Sequence, residues 1–199
     1  MVRCEIIRYH GLMGMCGIDE AGRGPLAGPV TAAAVVLPEQ SSNRLLAVLA
    51  DSKALTPKKR SQAAALIKDQ AEAWALGWAW PEEIDRLNIH RATLLAMSRA
   101  LVGIYPAPEL LLVDGLFVPD CPVPARAIVR GDQKNHAIMA ASILAKTERD
   151  LWMIAYSELE SRYGFEIHKG YPTRMHRMRV KRYGLSPIHR RSFKISFPE

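Results

Sequence analysis

The chain has 199 residues, 49% of them hydrophobic, enough for one generous domain whose core needs no disulfide or structural metal. Cys4, Cys16 and Cys121 are odd in number and show no metal-ligand spacing, and no apolar run reaches the roughly 18 residues that span a bilayer. The opening "MVRCEIIRYHGLMG" lacks the apolar stretch of a secretory leader, so the expected setting is the cytoplasm. The formal charge of +7 is unevenly spread: residues 1–166 carry 18 Lys and Arg against 19 Asp and Glu, whereas residues 167–198 carry nine and no acid. Such a one-sided basic segment is the footprint of a protein that meets a polyanion, and nucleic acid is the expected partner.

Residues 15–19, "MCGID", and 29–37, "PVTAAAVVL", read as strands on either side of a glycine-rich loop. Thr56 and Pro57 mark the cap and first turn of a helix. Residues 74–80, "WALGWAW", read as a short strand whose alternating Trp74, Trp78 and Trp80 are expected in the core. From Pro81 a helical stretch continues to about residue 104, broken near Asn88. "ELLLVDG" at 109–115 and "ARAIVRGD" at 125–132 are apolar runs that end in Asp-bearing loops, the pattern of buried strands. A long helix is expected from about Lys134 to Tyr163 with Gly164 as its stop, and a last, basic helix from Pro172 to about Gly184. This order predicts an α/β fold with a mixed sheet.

The expected strand ends carry acids: Asp19 and Glu20 on the first, Asp114 on the fourth and Asp132 on the fifth. Alone, each reads as a turn or cap residue. Together, at about 4 Å separation, each pair would repel by roughly 1 kcal/mol in water and by more in a partly buried site. Such a cluster persists only when protons or cations neutralise it, and oxygen-only ligands point to Mg²⁺ or Mn²⁺. Two such ions suit hydrolysis of a phosphodiester, which the basic segment would bring. "GRGPLAG" at 22–28 is neither a dinucleotide fingerprint nor a phosphate-binding P-loop, and its opening glycines would let bare backbone approach a substrate.

In order, "GIDEAGRGPLAGPV", "DSKAL", "PEEIDRLNI", "VDG", "GDQK" with "AASILAKTERD", "HKGYPT" and "HRRSF" resemble type 2 ribonuclease H, also called ribonuclease HII, from about residue 15 onward. The resemblance implies the ribonuclease H-like fold, a five-stranded mixed sheet flanked by helices, over 15–165. A basic C-terminal helical part, 166–199, would complete the substrate site. It implies a monomeric, metal-dependent endoribonuclease that hydrolyses the RNA strand of RNA–DNA hybrids and incises 5′ of single ribonucleotides in duplex DNA, as repair and replication require. Asp19, Glu20, Asp114 and Asp132 would then be the catalytic, metal-binding acids. Gly22, Arg23 and Gly24 would read the ribose 2′-hydroxyl, Tyr171 would stack on the neighbouring sugar, and Ser52 and Lys53 would contact phosphates. Arg130 stands where Lys is more usual, and the sequence stops soon after "HRRSF" without the longer extension of some members. The first 14 residues match nothing in this pattern, which leaves Met13 and Met15 as candidate starts.

Two other readings fit parts of the sequence: a non-catalytic nucleic-acid-binding module, and a DNA junction nuclease of the same superfamily. The second needs no reader of a 2′-hydroxyl. His168, His176 and His189 lie among basic residues, as surface histidines do, and are not counted as acid–base groups. Lys146, Glu148 and Asp150 read as helix-surface or supporting groups. Arg174, Arg177 and Lys181 recur at helical spacing and could follow phosphates.

Overall fold

The computed structural model describes residues 13–50 and 55–197. Its elements are β1 (Met13–Ala21), β2 (Val30–Val36), α1 (Asn43–Ala50), α2 (Pro57–Gln70), β3 (Ala73–Ala79), α3 (Pro81–Leu87) and α4 (Ile89–Val102). Then follow β4 (Pro108–Asp114), β5 (Ala125–Ile128), α5 (His136–Leu159), α6 (Phe165–His168) and α7 (Arg174–Tyr183). The strands form one sheet in the order β3-β2-β1-β4-β5. β1 and β4 run parallel, as do β4 and β5, while β2 is antiparallel to both its neighbours. The C-terminal ends of β1, β4 and β5 therefore share one edge. Ile18 pairs with Val113, which sets Asp19 level with Asp114.

Alternation along the strands divides the core. Cys16, Ile18, Ala32 and Ala34 pack with Ile84 of α3 and Ala92, Ala96 and Ala100 of α4. Ala33 and Val35 point the other way, into Ala140, Ala141 and Leu144 of α5 and the helices α1 and α2. Period-two burial on both faces is what a central strand requires. The helices come unusually close at Gly17, where a Cβ would lie 2.2 Å from the Ala137 carbonyl carbon, and at Gly77, where it would lie 2.0 Å from the Ala96 oxygen. Small residues at these crossings seat α4 and α5 against the backbone of the sheet. A third cluster joins Ala27 to Met153, Tyr163, Phe165, Val180 and Ile188, so the C-terminal segment packs against the loop that follows β1.

The cap at Thr56 and the break at Asn88 match expectation: Thr56 accepts the Lys59 N–H at 3.4 Å, and Asn88, between α3 and α4, also caps α4 by accepting the Arg91 N–H at 3.1 Å. Several boundaries differ. Helix α1 has no counterpart in the sequence reading. Helix α5 starts at His136, with Asn135 capping two amides, and stops at Leu159; Gly164, at φ 75°, opens α6 instead of closing α5. Thr173, rather than Pro172, caps α7, because its hydroxyl can accept the His176 N–H. β5 ends at Ile128, and residues 131–133 form a 3₁₀ turn that carries Asp132.

The tryptophans do not fill the core. Trp74 is 37% exposed because β3 is an edge strand, and Trp80, 39% exposed, lies just past β3 as the cap of α3. Trp78 stacks on Trp80 at 6.0 Å, and Trp80 meets Trp152 at 5.4 Å.

Substituting Gly17→Ala is expected to cost about 1–3 kcal/mol or more, since backbone rather than a flexible side chain stands in the way. Urea unfolding measures this as a lower midpoint at unchanged slope. Gly14→Ala is the control: nothing lies within 4 Å of its Cβ position, and a change of no more than about 0.5 kcal/mol is expected.

Candidate active site

Asp19 is buried at the end of β1, and its Oδ1 accepts the Glu20 N–H at 2.7 Å. Burial, then the charges of Glu20 and Asp114, hold its carboxyl well above the usual carboxylate range, only partly relieved by a hydrogen bond from Ser142. Burial also raises Glu20, against the pull of Arg23, whose Nη1 donates to Oε1 at 3.1 Å. Asp114 ends β4, and its Oδ1 accepts the N–H of Gly131 at 2.6 Å and that of Asp132 at 3.3 Å. The 3₁₀ turn is thus fastened to the β4 end, which sets Asp132 beside Asp114. A cleft of about 80 Å³ opens here, lined by Glu20, Arg23, Asp114, His90, Leu116 and Phe117.

Mutual repulsion and the partners just named keep these acids from closing on one point. Among the described residues, no three His, Cys, Asp or Glu side chains are gathered into a ligand set. The donor chemistry nonetheless fits a hard divalent ion: every candidate ligand is a carboxylate, and Asp19 and Glu20 are held in a state that favours a bound proton or cation.

The loop from Gly22 to Pro29 hangs on two fully buried arginines that the sequence reading missed. Arg149 donates from Nε to the Pro29 carbonyl at 2.9 Å, from Nη2 to Ala27 at 3.1 Å and from Nη1 to Lys169 at 3.0 Å. Arg190 donates from Nε to Gly28 at 2.9 Å, from Nη1 to Arg23 at 3.0 Å and from Nη2 to Gly22 at 2.6 Å. Burial pulls Arg149 down to about 10 and Arg190 to about 9, so both keep their charge at neutral pH. A signal for Arg149 was present: Ala137, Ala141, Ala145, Arg149 and Met153 recur every four residues and are all buried on α5. That spacing put Arg149, not its neighbours Glu148 and Asp150, on the inner stripe.

The two expected loop glycines differ in what they face. Gly22 has φ 95°, and a Cβ there would lie 2.0 Å from Arg149 Nε, so the fold itself demands glycine. At Gly24 the nearest atom to a Cβ would be Tyr171 Cε1, 4.0 Å away. Among the described residues nothing else comes within 4 Å of that position. Tyr171 stands beside it, 38% exposed, with Lys146 Nζ 5.2 Å from its ring centre.

The three histidines are buried, not on the surface, because α7 and the chain after it fold back over them. The Ser186 N–H donates to His189 Nδ1 at 2.8 Å, so the proton of His189 is on Nε2 and reaches His176 Nε2 at 3.0 Å. His176 must then donate from Nδ1 to the Tyr171 carbonyl at 3.0 Å. Burial pushes His176 and His189 down to about 4, so both are neutral at physiological pH.

Lys146 pairs with Asp150 at 2.8 Å and Lys68 with Glu148 at 2.7 Å, so these groups of α5 are engaged with lysines rather than with the acids. On α7, Arg174 and Lys181 are exposed while His176 and Val180 are buried. Ser52 and Lys53 lie outside the described residues. No helix among the described residues is long and apolar enough to cross a membrane.

Known proteins place the chain in a family. The family model for ribonuclease HII matches residues 16–196. The chain is similar to a ribonuclease HII of Chlorobium luteolum, 51% identical over 96% of this chain and 93% of that one. It is similar also to a ribonuclease HII of Nitrosococcus oceani, 53% identical over 90% and 88%. Among solved structures it resembles ribonuclease H2 from Pyrococcus horikoshii, with a TM-score of 0.79, 27% identity and coverage of 92% and 95%. The family depends on metal and acts on nucleic acid, and neither a mere binding module nor a junction nuclease is favoured. With the family model over nearly the whole chain, relatives at about half identity and the shared fold, the chain belongs to the ribonuclease HII family, endoribonucleases that hydrolyse the RNA strand of RNA–DNA hybrids and incise DNA at embedded ribonucleotides.

Proposed function

We propose that Asp19, Glu20, Asp114 and Asp132 hold two divalent ions, Mg²⁺ or Mn²⁺, and that cleavage falls 5′ of the ribonucleotide, leaving a 3′-hydroxyl and a 5′-phosphate. The observation that carries this reading is the burial of Asp19 against the charges of both Glu20 and Asp114 at the shared strand edge. Bound there, the ions supply Lewis acidity toward a water and a phosphodiester oxygen. The chain's own residues do the rest. Gly22, Arg23 and Gly24 present backbone to the ribose 2′-hydroxyl, the group that separates RNA from DNA. Tyr171 stacks on the adjoining sugar, Ser52 and Lys53 meet phosphates, and the exposed cations of α7 follow the duplex backbone. The space over Gly24 supports this assignment, since among the described residues nothing packed there requires a glycine.

The direct test is a labelled DNA duplex with one ribonucleotide, incubated in Mg²⁺ beside its all-DNA counterpart. A single nick 5′ of the ribonucleotide with the control intact is expected. Cutting of both duplexes, or of neither in Mg²⁺ and Mn²⁺, defeats the proposal.

Asp19→Asn and Asp132→Asn are each expected to lower cleavage by more than about 100-fold, the loss produced even by removing groups that merely support a metal ligand. Full cleavage by both variants would take the carboxylates out of the mechanism. Stability should move oppositely. The folded carboxyl of Asp19 is raised above its unfolded value, so its contribution is present below the ordinary carboxylate range near about 4 and is lost as pH rises through the raised value. Metal-free Asp19→Asn is therefore expected to melt higher than the wild type at neutral pH, with the gap closing in acid. Finally, Gly24→Ala should keep its melting temperature within about 2 °C while cleavage falls about tenfold or more through misplaced substrate.

A further inference from the structure

In a trans peptide the C=O of one residue and the N–H of the next lie in one plane and point in opposite directions. Arg190 Nη2 holds the Gly22 carbonyl and Arg190 Nη1 the Arg23 carbonyl. Both carbonyls face the buried guanidinium, so the N–H groups of Arg23 and Gly24 are turned the other way. A charge behind these planes polarises them and strengthens the outward N–H groups as donors. The third donor, Nε, fixes Gly28 across the base of the same loop.

Arg190 is itself held from several sides. Its own N–H donates to Leu26 at 2.9 Å, and Gly28 donates back to Ile188 at 2.8 Å. Just beyond it, the Asp85 carboxylate of α3 accepts the N–H groups of Arg191 and Ser192, each at 2.9 Å. Its guanidinium lies 5.1 Å from the Phe193 ring centre. A side chain anchored this way sets the orientation of what it grips.

We propose that Arg190 is a positioning residue for sugar recognition: by gripping the carbonyls of Gly22, Arg23 and Gly28 from beneath, it aims the Arg23 and Gly24 amides at the ribose 2′-hydroxyl. It touches neither substrate nor reacting atoms. The assignment rests on the reading of the Gly22–Gly24 loop as the part that meets the sugar. A planar fork suits the task, since it delivers donors in fixed directions to separate acceptors, which an ammonium cannot do.

The test separates aiming from mere stability. Affinities of the wild type, Arg190→Met, Arg190→Lys and Gly24→Ala are measured in metal-free buffer, where nothing is cut. The ligands are a DNA duplex with one ribonucleotide and the same duplex as all-DNA. The wild type is expected to prefer the first. Arg190→Met and Arg190→Lys should each lose about tenfold or more of that preference while holding all-DNA as the wild type does, because the basic face of α7 is untouched. Should Arg190→Met fail to fold, Arg190→Lys decides alone: it keeps the charge yet cannot span three carbonyls. Equal loss of affinity for both duplexes marks a structural brace and overturns the proposal. Retained preference in the Arg190 variants, with preference lost in Gly24→Ala, overturns it too but leaves the loop reading standing. Preference retained in Gly24→Ala, or absent from the wild type, removes the loop reading and the proposal together.

Discussion

Six backbone carbonyls, those of Gly22, Arg23, Ala27, Gly28, Pro29 and Lys169, are turned toward two buried guanidinium groups, and the shape of the site depends on that arrangement. A buried charge is tolerated only when its donors are met, and a buried carbonyl only when it is accepted by something. Here each requirement answers the other. Because hydrogen bonds to charged donors contribute roughly 1.5–3 kcal/mol each and their loss strands a buried polar group, the loop cannot relax piecemeal. It is fixed as a unit, between α5 on one side and the chain after α7 on the other. That also explains why Gly22 is glycine: the Arg149 Nε occupies the space a side chain would need.

The carboxylates present the opposite case. Register and strand direction bring Asp19 and Asp114 level on neighbouring parallel strands, and the turn at 131–133 brings Asp132 to Asp114 through backbone amides. The amides serve Asp114, but Asp19 and Glu20 are left facing its charge, and Asp19 that of Glu20 as well. The protein partly offsets this repulsion with Arg23 on Glu20 and Ser142 on Asp19. The surplus resides in the strained proton equilibria of Asp19 and Glu20. Functional sites commonly hold such instability, supported by a rigid surround, and the surround here is the sheet and its arginine-braced loop.

Much of this was legible in the sequence for a physical reason. Strands with period-two burial, Pro-led helices and acids at apolar run ends are local signals, and they single out the four acids as candidates. What escaped were features decided by tertiary context. Helix α1 does carry a cap, since the Ser42 hydroxyl accepts the Leu45 N–H at 3.1 Å, but it is short and its burial of Leu45 and Leu49 shows only once α2 and α5 are in place. Trp74 and Trp80 looked like core residues because alternation cannot tell an edge strand from a central one. The histidines looked solvated because their basic neighbours are; the fold sends His176 inward while Arg174 and Lys181 stay outside. Arg149 and Arg190 were hidden by habit, since an arginine among charged neighbours is normally read as surface charge.

That last confusion points to how the C-terminal segment works. Its cations divide by depth. Arg190 faces inward and grips the loop, while Arg174 and Lys181 face outward where a polyanion would lie. Between them, His189 and His176 pass one directed hydrogen bond to the next until it reaches the Tyr171 carbonyl. Each imidazole is held neutral and in one tautomer by a backbone N–H or C=O, so the chain of donors runs only one way. The segment therefore touches the glycine loop through Arg190 and the Tyr171 turn through His176, the two parts that face each other across Gly24. A duplex gripped on the outer face of α7 would rest on the same element that shapes both walls of the cleft. On the proposed reading, binding the backbone and reading the sugar would be tasks of one continuous stretch of chain.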